Sequence, residues 1–232
     1  MASISEKAKQ MPASAIRKLV PFADAAKKQG VKVYHLNLGQ PDIKSPECAL
    51  EAIRNYPSEN VSYSHSAGLM DLRKGLVEKY YKKIGINISV DELIVTVAGS
   101  ESVNLALEIA CNPGDEVIVL EPFYTNYNTF AFMNGLTLKA IPTDIRNGFQ
   151  IPPIEEFEKA ITEKTKAILV CNPGNPTGTQ YSKESMLALG EIARRHDLFL
   201  LSDEVYREFC YTDEPHFSAM NIPGLEQNVI LI

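Results

Sequence analysis

The second half of the chain alternates between short apolar runs and longer amphipathic segments. The apolar runs are rich in Val, Ile and Leu and read EVIVLEP, LTLKAIP, AILVCNP and LFLLSDEVY. Such runs are typical of parallel strands that are buried on both faces. Helical spacing marks the segments around them, SVNLALEIA, YTNYNTFAFMNG, IEEFEKAI and KESMLALGEIARRH. The pattern predicts an α/β fold of three layers, in which a mostly parallel sheet carries helices on both faces.

The same reasoning predicts elements nearer to the N-terminus. Residues 14–30 are predicted to form a helix that ends at Gly30, followed by the extended segment VKVYHLNLG. Ser45 is expected to cap a second helix with Pro46 at its first position, where a proline loses no hydrogen bond. An amphipathic helix is predicted over 69–83. Two further apolar runs, ELIVTVAG and NVILI, are predicted to be strands.

Composition narrows the classes of protein that fit. The chain has 232 residues, of which 45% are hydrophobic, enough for a substantial packed core. A formal net charge of −6 disfavours a nucleic-acid-binding surface. The first residues, MASISEKAKQMPAS, lack the apolar core of a signal peptide, and no apolar run approaches a membrane span. We therefore expect a cytoplasmic protein that binds neither membranes nor nucleic acids.

The cysteines are scattered and do not form a CxxC pair. They are Cys48, Cys111, Cys171 and Cys210, and the four histidines also lack the spacing of metal ligands. We expect reduced, buried thiols and no metal site.

Polar and aromatic side chains follow four of the predicted strands. Gly99 and Ser100 lie in a strand-turn-helix segment, whose free backbone N–H groups could bind an anion such as a phosphate. A tight turn with no ligand is an equally good interpretation of that motif alone. Tyr124, in EPFYTNY, could lie against a planar ligand, although an aromatic residue there is more often part of the core.

The other two strands end on NPGNPTG and SDEVYREF. The first loop places Asn175 where its amide could donate to a ligand, and ordinary turn formation explains the prolines equally well. The second places Asp203 and Tyr206 after an apolar strand, where a buried carboxylate needs a partner. Because the carboxyl ends of parallel strands share one edge of a sheet, the four motifs together predict a ligand site.

Taken in order, these motifs resemble those of a known family. NLGQPD, YSHSAGLMDLR, VTVAGSES, GDEVIVLEPFY, NPGNPTG and SDEVYREF resemble the fold-type I pyridoxal-phosphate enzymes, specifically class I aminotransferases of the aspartate aminotransferase kind. The resemblance extends over essentially the whole chain. It implies pyridoxal 5'-phosphate as cofactor, an amino acid and a 2-oxo acid as substrates, and a homodimer. It also implies an N-terminal arm with part of a small domain over 1–45, and an incomplete large domain over 46–232.

The resemblance assigns roles around the cofactor ring. Tyr124 would stack on the ring, and Asn175 and Tyr206 would hydrogen-bond its phenolic oxygen, with Asn175 also facing the substrate. Asp203 would pair with the ring nitrogen and keep it protonated. Asp203 and Tyr206 are therefore the residues expected to support catalysis.

The resemblance also indicates which residues would bind the cofactor phosphate and the substrate carboxylate. Gly99, Ser100 and Glu101 would hold the phosphate through backbone N–H groups, provided that the Glu101 carboxylate points away. Tyr63 would reach the phosphate of the neighbouring subunit. Gly39 would let the backbone approach the substrate carboxylate.

The family's Schiff-base lysine and its carboxylate-binding arginine would come after NVILI, where the sequence ends. The small C-terminal domain is likewise expected to be absent. We therefore expect an incomplete, inactive portion of an aminotransferase. A pyridoxal-phosphate-dependent lyase of the same fold and a non-catalytic cofactor-binding relative are the alternatives. A nucleotide-binding α/β domain is disfavoured because the chain has no GxGxxG motif.

Overall fold

The computed structural model describes residues 2–12, 14, 16–37, 39–57 and 59–232. By its internal contacts the chain divides into two units. The first unit combines Met1–Pro12 with Ala67–Ile232, and the second is Ala13–Ser66. All the strands, and the polar residues that follow them, belong to the first unit.

Among the described residues, the α-helices alternate with the strands from residue 98 onward. In chain order the α-helices are α1 (Glu6–Gln10), α2 (Val20–Lys28), α3 (Glu47–Arg54), α4 (Met70–Gly75), α5 (Ala98–Ala110), α6 (Asn126–Met133), α7 (Ile154–Ala160) and α8 (Lys183–Arg195). Helices α2 and α3 belong to the second unit, and the others belong to the first.

The strands form a single parallel sheet in the part of the chain that the structure describes. They are β1 (Glu116–Glu121), β2 (Thr137–Pro142), β3 (Thr165–Cys171), β4 (Phe199–Asp203) and β5 (Val229–Leu231), arranged in the order β2-β1-β3-β4-β5. All four pairings are parallel, and the β3–β4 register aligns Cys171 with Asp203. The predicted α/β fold with a parallel sheet is confirmed.

Two apolar layers cover the two faces of this sheet. On one face, Val117 and Val119 of β1 pack with Leu107 of α5 and Ala131 of α6. On the other face, alternate strand residues pack against α7 and α8, including Phe157 and Leu189. The strand runs are apolar throughout because successive side chains enter opposite layers.

The N-terminal half of the chain departs from the sequence prediction in two places. Residues 93–97 are not a strand, although Leu93 has extended backbone dihedral angles. The segment pairs with none of the strands of the described chain, and its Val95 N–H donates instead to the Ala67 carbonyl over 3.0 Å. In the second unit, Pro46 is the N-cap rather than the first helical residue, so the predicted cap at Ser45 is wrong by one position.

Two predicted helices form with altered turns. The helix predicted over 69–83 begins at Met70, widens into a π-helical turn over Leu76–Tyr80 and tightens into a 3₁₀ turn over Tyr81–Ile84. The helix predicted over 14–30 consists of a 3₁₀ turn, Arg17–Leu19, followed by α2. It stops before Gly30, whose φ of +80° suits a glycine after a helix.

Gly190 in the middle of α8 allows the segment between β4 and β5 to pack closely. A Cβ atom at Gly190 would lie 2.7 Å from Ile222 Cγ2 and 2.9 Å from Leu225 Cδ1. We therefore expect Gly190→Ala to lower the free energy of unfolding by about 1–3 kcal/mol, despite the higher helix propensity of alanine. Urea denaturation measures the change.

Gly75 is the matched control, because it is also helical and a Cβ atom there would meet nothing within 4 Å. Gly75→Ala should be neutral or stabilise by about 0.5–1 kcal/mol. Equal effects of the two substitutions would contradict the packing explanation.

Candidate active site

A cleft of about 180 Å³ lies at the carboxyl ends of β3 and β4, beside the start of α5. It is lined by Ala98, Gly99, Ser100, Val103, Tyr124, Cys171, Asn175, Asp203, Val205 and Tyr206. The parallel register brings these strand ends to one edge of the sheet, as the sequence predicted. Six of the predicted site residues therefore meet in one place: Gly99, Ser100, Tyr124, Asn175, Asp203 and Tyr206.

Asp203, the last residue of β4, is a buried carboxylate with neutral hydrogen-bond donors. Its Oδ2 accepts a hydrogen bond of 2.6 Å from the Tyr127 hydroxyl, and its Oδ1 accepts one of 3.3 Å from the Val205 N–H. Burial raises the pKa of Asp203 above its ordinary value, while the bonds from Tyr127 and Val205 oppose the rise. A cation placed in the cleft would therefore be attracted to this carboxylate.

Tyr127 is a residue of the site that sequence reasoning missed. It lies on α6, is 1% exposed and packs edge-on against the Tyr124 ring, with ring centroids 5.5 Å apart. Burial raises the pKa of its hydroxyl, which therefore stays protonated and donates to Asp203. The motif EPFYTNY contains it three residues after Tyr124, but a buried tyrosine has the same pattern as a core residue.

Asn175 and Tyr206 form a pair of donors on the rim of the cleft. The Asn175 amide donates to the Tyr206 hydroxyl over 3.3 Å. Burial raises the pKa of Tyr206, and the bond from Asn175 opposes that rise. Because the protonated hydroxyl accepts from Asn175, its own proton is available to an acceptor in the cleft.

The loop that carries Asn175 is closed by its own hydrogen bonds. Gly174 N–H donates to the Thr179 carbonyl over 2.8 Å, and Gly178 N–H donates to the Gly174 carbonyl over 2.8 Å. The side-chain oxygen of buried Asn172 accepts from the Tyr181 N–H over 2.9 Å. These bonds fix the position of the loop after β3.

Tyr124 is held through its hydroxyl and its ring. The hydroxyl accepts a 2.7 Å hydrogen bond from the Asn126 amide, and the ring contacts Tyr127 at an interplanar angle of 88°. A ring fixed in this way can contact a flat ligand without losing side-chain freedom on binding.

The start of α5 has an unusual backbone. Ala98 has a φ of +62°, a conformation that non-glycine residues rarely adopt. A Cβ atom at Gly99 would lie 3.0 Å from Val205 Cγ1, so this position favours glycine. The first N–H groups of a helix have no partner within the helix and can bind an anion. Sequence reasoning did not identify Ala98.

Glu101 behaves differently from Gly99 and Ser100. Its carboxylate accepts a hydrogen bond from the Val97 N–H, just before α5, and the residue does not line the cleft. The carboxylate thus stabilises the helix start, where a negative charge is favourable.

Gly39 and Tyr63 belong to the second unit, whose own structure does not test the roles that the resemblance implies for them. Those two assignments stay predictions.

Cys171 is the other lining residue that was not assigned to the site. Its thiol donates to the Pro173 carbonyl over 3.2 Å, and burial raises its pKa to about 12. The thiol therefore stays protonated and is a poor nucleophile at neutral pH. The expectation of buried thiols is wrong for Cys48, which is exposed; Cys111, Cys171 and Cys210 are partly buried.

Three further observations concern the described part of the chain. No lysine lines the cleft. No group of three or more His, Cys, Asp or Glu residues is arranged to hold a metal ion. None of the helices has the length and apolar character needed to span a membrane.

Residues 31–232 match the protein family described as aminotransferase class I and II. A putative aminotransferase of Bacillus subtilis is 37% identical over 231 residues, covering 99% of this chain and 58% of the relative. The aspartate/prephenate aminotransferase of Thermus thermophilus is 36% identical over 219 residues, which cover 94% of this chain and 56% of the relative. The chain therefore belongs to the class I and II aminotransferase family, which confirms the resemblance.

Solved structures support the same conclusion. A double mutant of the Thermus thermophilus aspartate aminotransferase superposes with a TM-score of 0.92 at 34% identity, covering all of this chain and 60% of that one. The chain thus spans a little under three fifths of the length of the curated relatives that it matches first.

The raised pKa of Asp203 gives a prediction for stability without any ligand. Because burial raises the pKa of Asp203 in the folded protein, the folded state is penalised at every pH at which the carboxyl of the unfolded chain has ionised, from about pH 4 upward. Well below that pH, Asp203 is protonated in both states and the penalty is absent. We expect Asp203→Asn to raise the free energy of unfolding by about 1 kcal/mol at pH 7. The gain should disappear as the pH falls through the ordinary aspartate range.

Urea denaturation at pH 7 and at pH 4 measures this difference, with Asp213→Asn at an exposed turn as control. If Asp203→Asn lowers the free energy of unfolding at pH 7, burial of the Asp203 carboxylate does not destabilise the folded protein.

Proposed function

We propose that this chain supplies the cofactor-binding part of an aminotransferase that moves an amino group between an amino acid and a 2-oxo acid through pyridoxal 5'-phosphate. The observation that carries the proposal is the buried Asp203 carboxylate, which faces the same cleft as the Asn175–Tyr206 donor pair. Relatives named for aspartate and prephenate and for aromatic amino acids support the general reaction. The activity belongs to the full-length protein.

The chemistry of the donors suits pyridoxal phosphate. Its ring nitrogen needs an anion, its phenolic oxygen needs donors, and its phosphate needs N–H groups; the cleft offers Asp203, the Asn175–Tyr206 pair and the start of α5 respectively. When bound, the cofactor supplies an electron-withdrawing ring that takes up charge as the substrate loses its α-proton.

Asp203 would keep a proton on the ring nitrogen of the bound cofactor. None of the described residues that line the cleft is positively charged, and burial raises the pKa of Asp203. A protonated ring nitrogen would relieve that cost, because two opposite charges in a partly apolar site stabilise each other. Tyr127 orients the carboxylate by donating to one oxygen and leaves the other for the ligand and Val205.

The remaining residues bind and orient the ligand. Asn175 and Tyr206 would donate to the phenolic oxygen and favour its anionic form, and Asn175 would also face the substrate. Tyr124 would contact the ring. The N–H groups of Gly99, Ser100 and Glu101 at the start of α5, together with the Ser100 hydroxyl, would hold the phosphate, with Glu101 taking part through its backbone alone.

Two residues of the second unit complete the proposal. Gly39 lets the backbone approach the substrate carboxylate, and the partner subunit's Tyr63 reaches the phosphate. The protein then acts as a cytoplasmic homodimer in which each site uses both subunits. Residues 1–45 form the N-terminal arm and part of a small domain, and residues 46–232 form most of the cofactor-binding domain.

A lyase that uses the same cofactor is the alternative reaction. The relatives and structural neighbours are named aminotransferases, which favours transfer of the amino group. No contact among the described residues favours the lyase.

Asp203→Asn in the full-length protein tests the proposed role of Asp203. An amide cannot stabilise a positive ring nitrogen, so we expect the turnover number for transamination to fall by at least about 10²-fold. The affinity for pyridoxamine 5'-phosphate, held mainly through its phosphate and phenolic oxygen, should change by about tenfold or less.

Asp213→Asn, at the exposed turn, should leave both quantities unchanged. Near-normal turnover in Asp203→Asn would rule out the assignment of Asp203, and failure of the wild type to bind pyridoxamine 5'-phosphate would rule out the cofactor.

A further inference from the structure

Glu204 is a second buried carboxylate, adjacent to Asp203, that the proposed chemistry does not use. Its side chain is fully shielded from solvent. Asp203 bonds to Tyr127 in the apolar layer of α5 and α6, whereas Glu204 bonds to Ala219 in the layer of α7 and α8. The two neighbouring carboxylates therefore lie on opposite sides of the sheet.

One oxygen of Glu204 is surrounded by hydrogen-bond donors. Its Oε1 accepts from the hydroxyls of Ser202 and Ser218, each over 3.0 Å, and from the Ala219 N–H over 2.9 Å. These bonds tie the end of β4 to the segment at 218–219. Three donors on one carboxylate oxygen indicate a site built for a negative charge.

The other oxygen faces two basic side chains. Glu204 Oε2 lies 3.5 Å from Arg207 Nη1 and 3.8 Å from His216 Nε2. Burial raises the pKa of Glu204, while the Ala219 bond and the charges of His216 and Arg207 oppose the rise. A buried ion pair of this kind contributes less to stability than apolar side chains of similar volume would. We therefore ask which parts of the structure the ion pair holds in place.

These parts include both donors on the rim of the cleft. Arg207 N–H donates to the Glu204 carbonyl over 3.0 Å, so Glu204 and Arg207 bracket the turn that carries Tyr206. His216 Nε2 donates to the Asn172 carbonyl over 3.0 Å, and Asn172 N–H donates to the Asp203 carbonyl over 2.9 Å. Asn172 in turn begins the loop that carries Asn175.

We propose that Glu204 is a positioning residue, which acts through Arg207 and His216 to hold Tyr206 and Asn175 at the spacing needed to donate to one ligand oxygen. The inference rests on the proposed function and adds to it a residue that does not touch the ligand. It predicts that the hydrogen bond from Tyr206 loses its strength when Glu204 loses its charge.

A double-mutant cycle in the full-length protein tests this coupling, with pyridoxamine 5'-phosphate as the probe and calorimetry to measure its affinity. Tyr206→Phe should weaken binding by about tenfold in the wild-type background. In the Glu204→Gln background it should weaken binding by about twofold or less, because the Tyr206 hydroxyl is then already displaced. A role limited to overall stability would leave the two effects additive.

Glu158→Gln is the matched control, since Glu158 also pairs with an arginine and a histidine. Its carboxylate lies 2.6 Å from Arg195 Nη2 and 2.8 Å from His196 Nε2, at α7 and the end of α8 rather than at the cleft. In this background Tyr206→Phe should keep its effect of about tenfold.

If Glu204→Gln does not yield folded protein, Arg207→Gln replaces it in the cycle, because this change leaves the three bonds of Glu204 Oε1 in place. Equal effects of Tyr206→Phe with and without the change at Glu204 or Arg207 would overturn the inference. Absence of pyridoxamine 5'-phosphate binding in the wild type would instead overturn the proposed function.

Discussion

The burial of a carboxylate at the end of a central strand is the constraint on which the candidate site depends. Asp203 ends β4, which lies between β3 and β5, and the residue is only 5% exposed. Removing a carboxylate from water costs free energy unless donors or cations compensate for it. Tyr127 and the Val205 N–H provide part of that compensation. A positively charged ligand atom in the cleft would provide the rest, so the cost of burying the unpaired carboxylate in the free protein favours binding of such a ligand.

The fold allows this arrangement because the two neighbouring carboxylates, Asp203 and Glu204, form their hydrogen bonds on opposite faces of the sheet. Asp203 bonds to a residue of α6 on one side, and Glu204 bonds to the segment after residue 217 on the other. Apolar layers on both faces hold the strands in register. Side chains at the strand ends are therefore held in place around the cleft before any ligand binds.

The sequence predicted the parallel sheet and most of the residues that meet at its edge. Continuous apolar runs indicate buried strands, and the turn residues between them indicate where each strand ends. Parallel strands end at one edge of the sheet, which brings Asn175, Asp203 and Tyr206 together. The hydrogen bond from Tyr127 could not be predicted, because a buried tyrosine on a helix resembles any core aromatic. The positive φ of Ala98 leaves no mark in composition. The apolar spacing of residues 93–97 led to the wrong prediction of a strand, because spacing alone does not show whether a partner strand is available.

The role of Asp203 can be tested through the protonation state of the ring nitrogen of a bound ligand. Pyridoxamine 5'-phosphate labelled with ¹⁵N in the ring would be bound to the full-length protein and followed by NMR as the pH is raised. If Asp203 supplies the missing ionic partner, the ring nitrogen should remain protonated at pH values where the free compound has lost its proton, and Asp203→Asn should abolish the difference. Deprotonation of the bound ring at the same pH as in solution would show that Asp203 does not hold the proton.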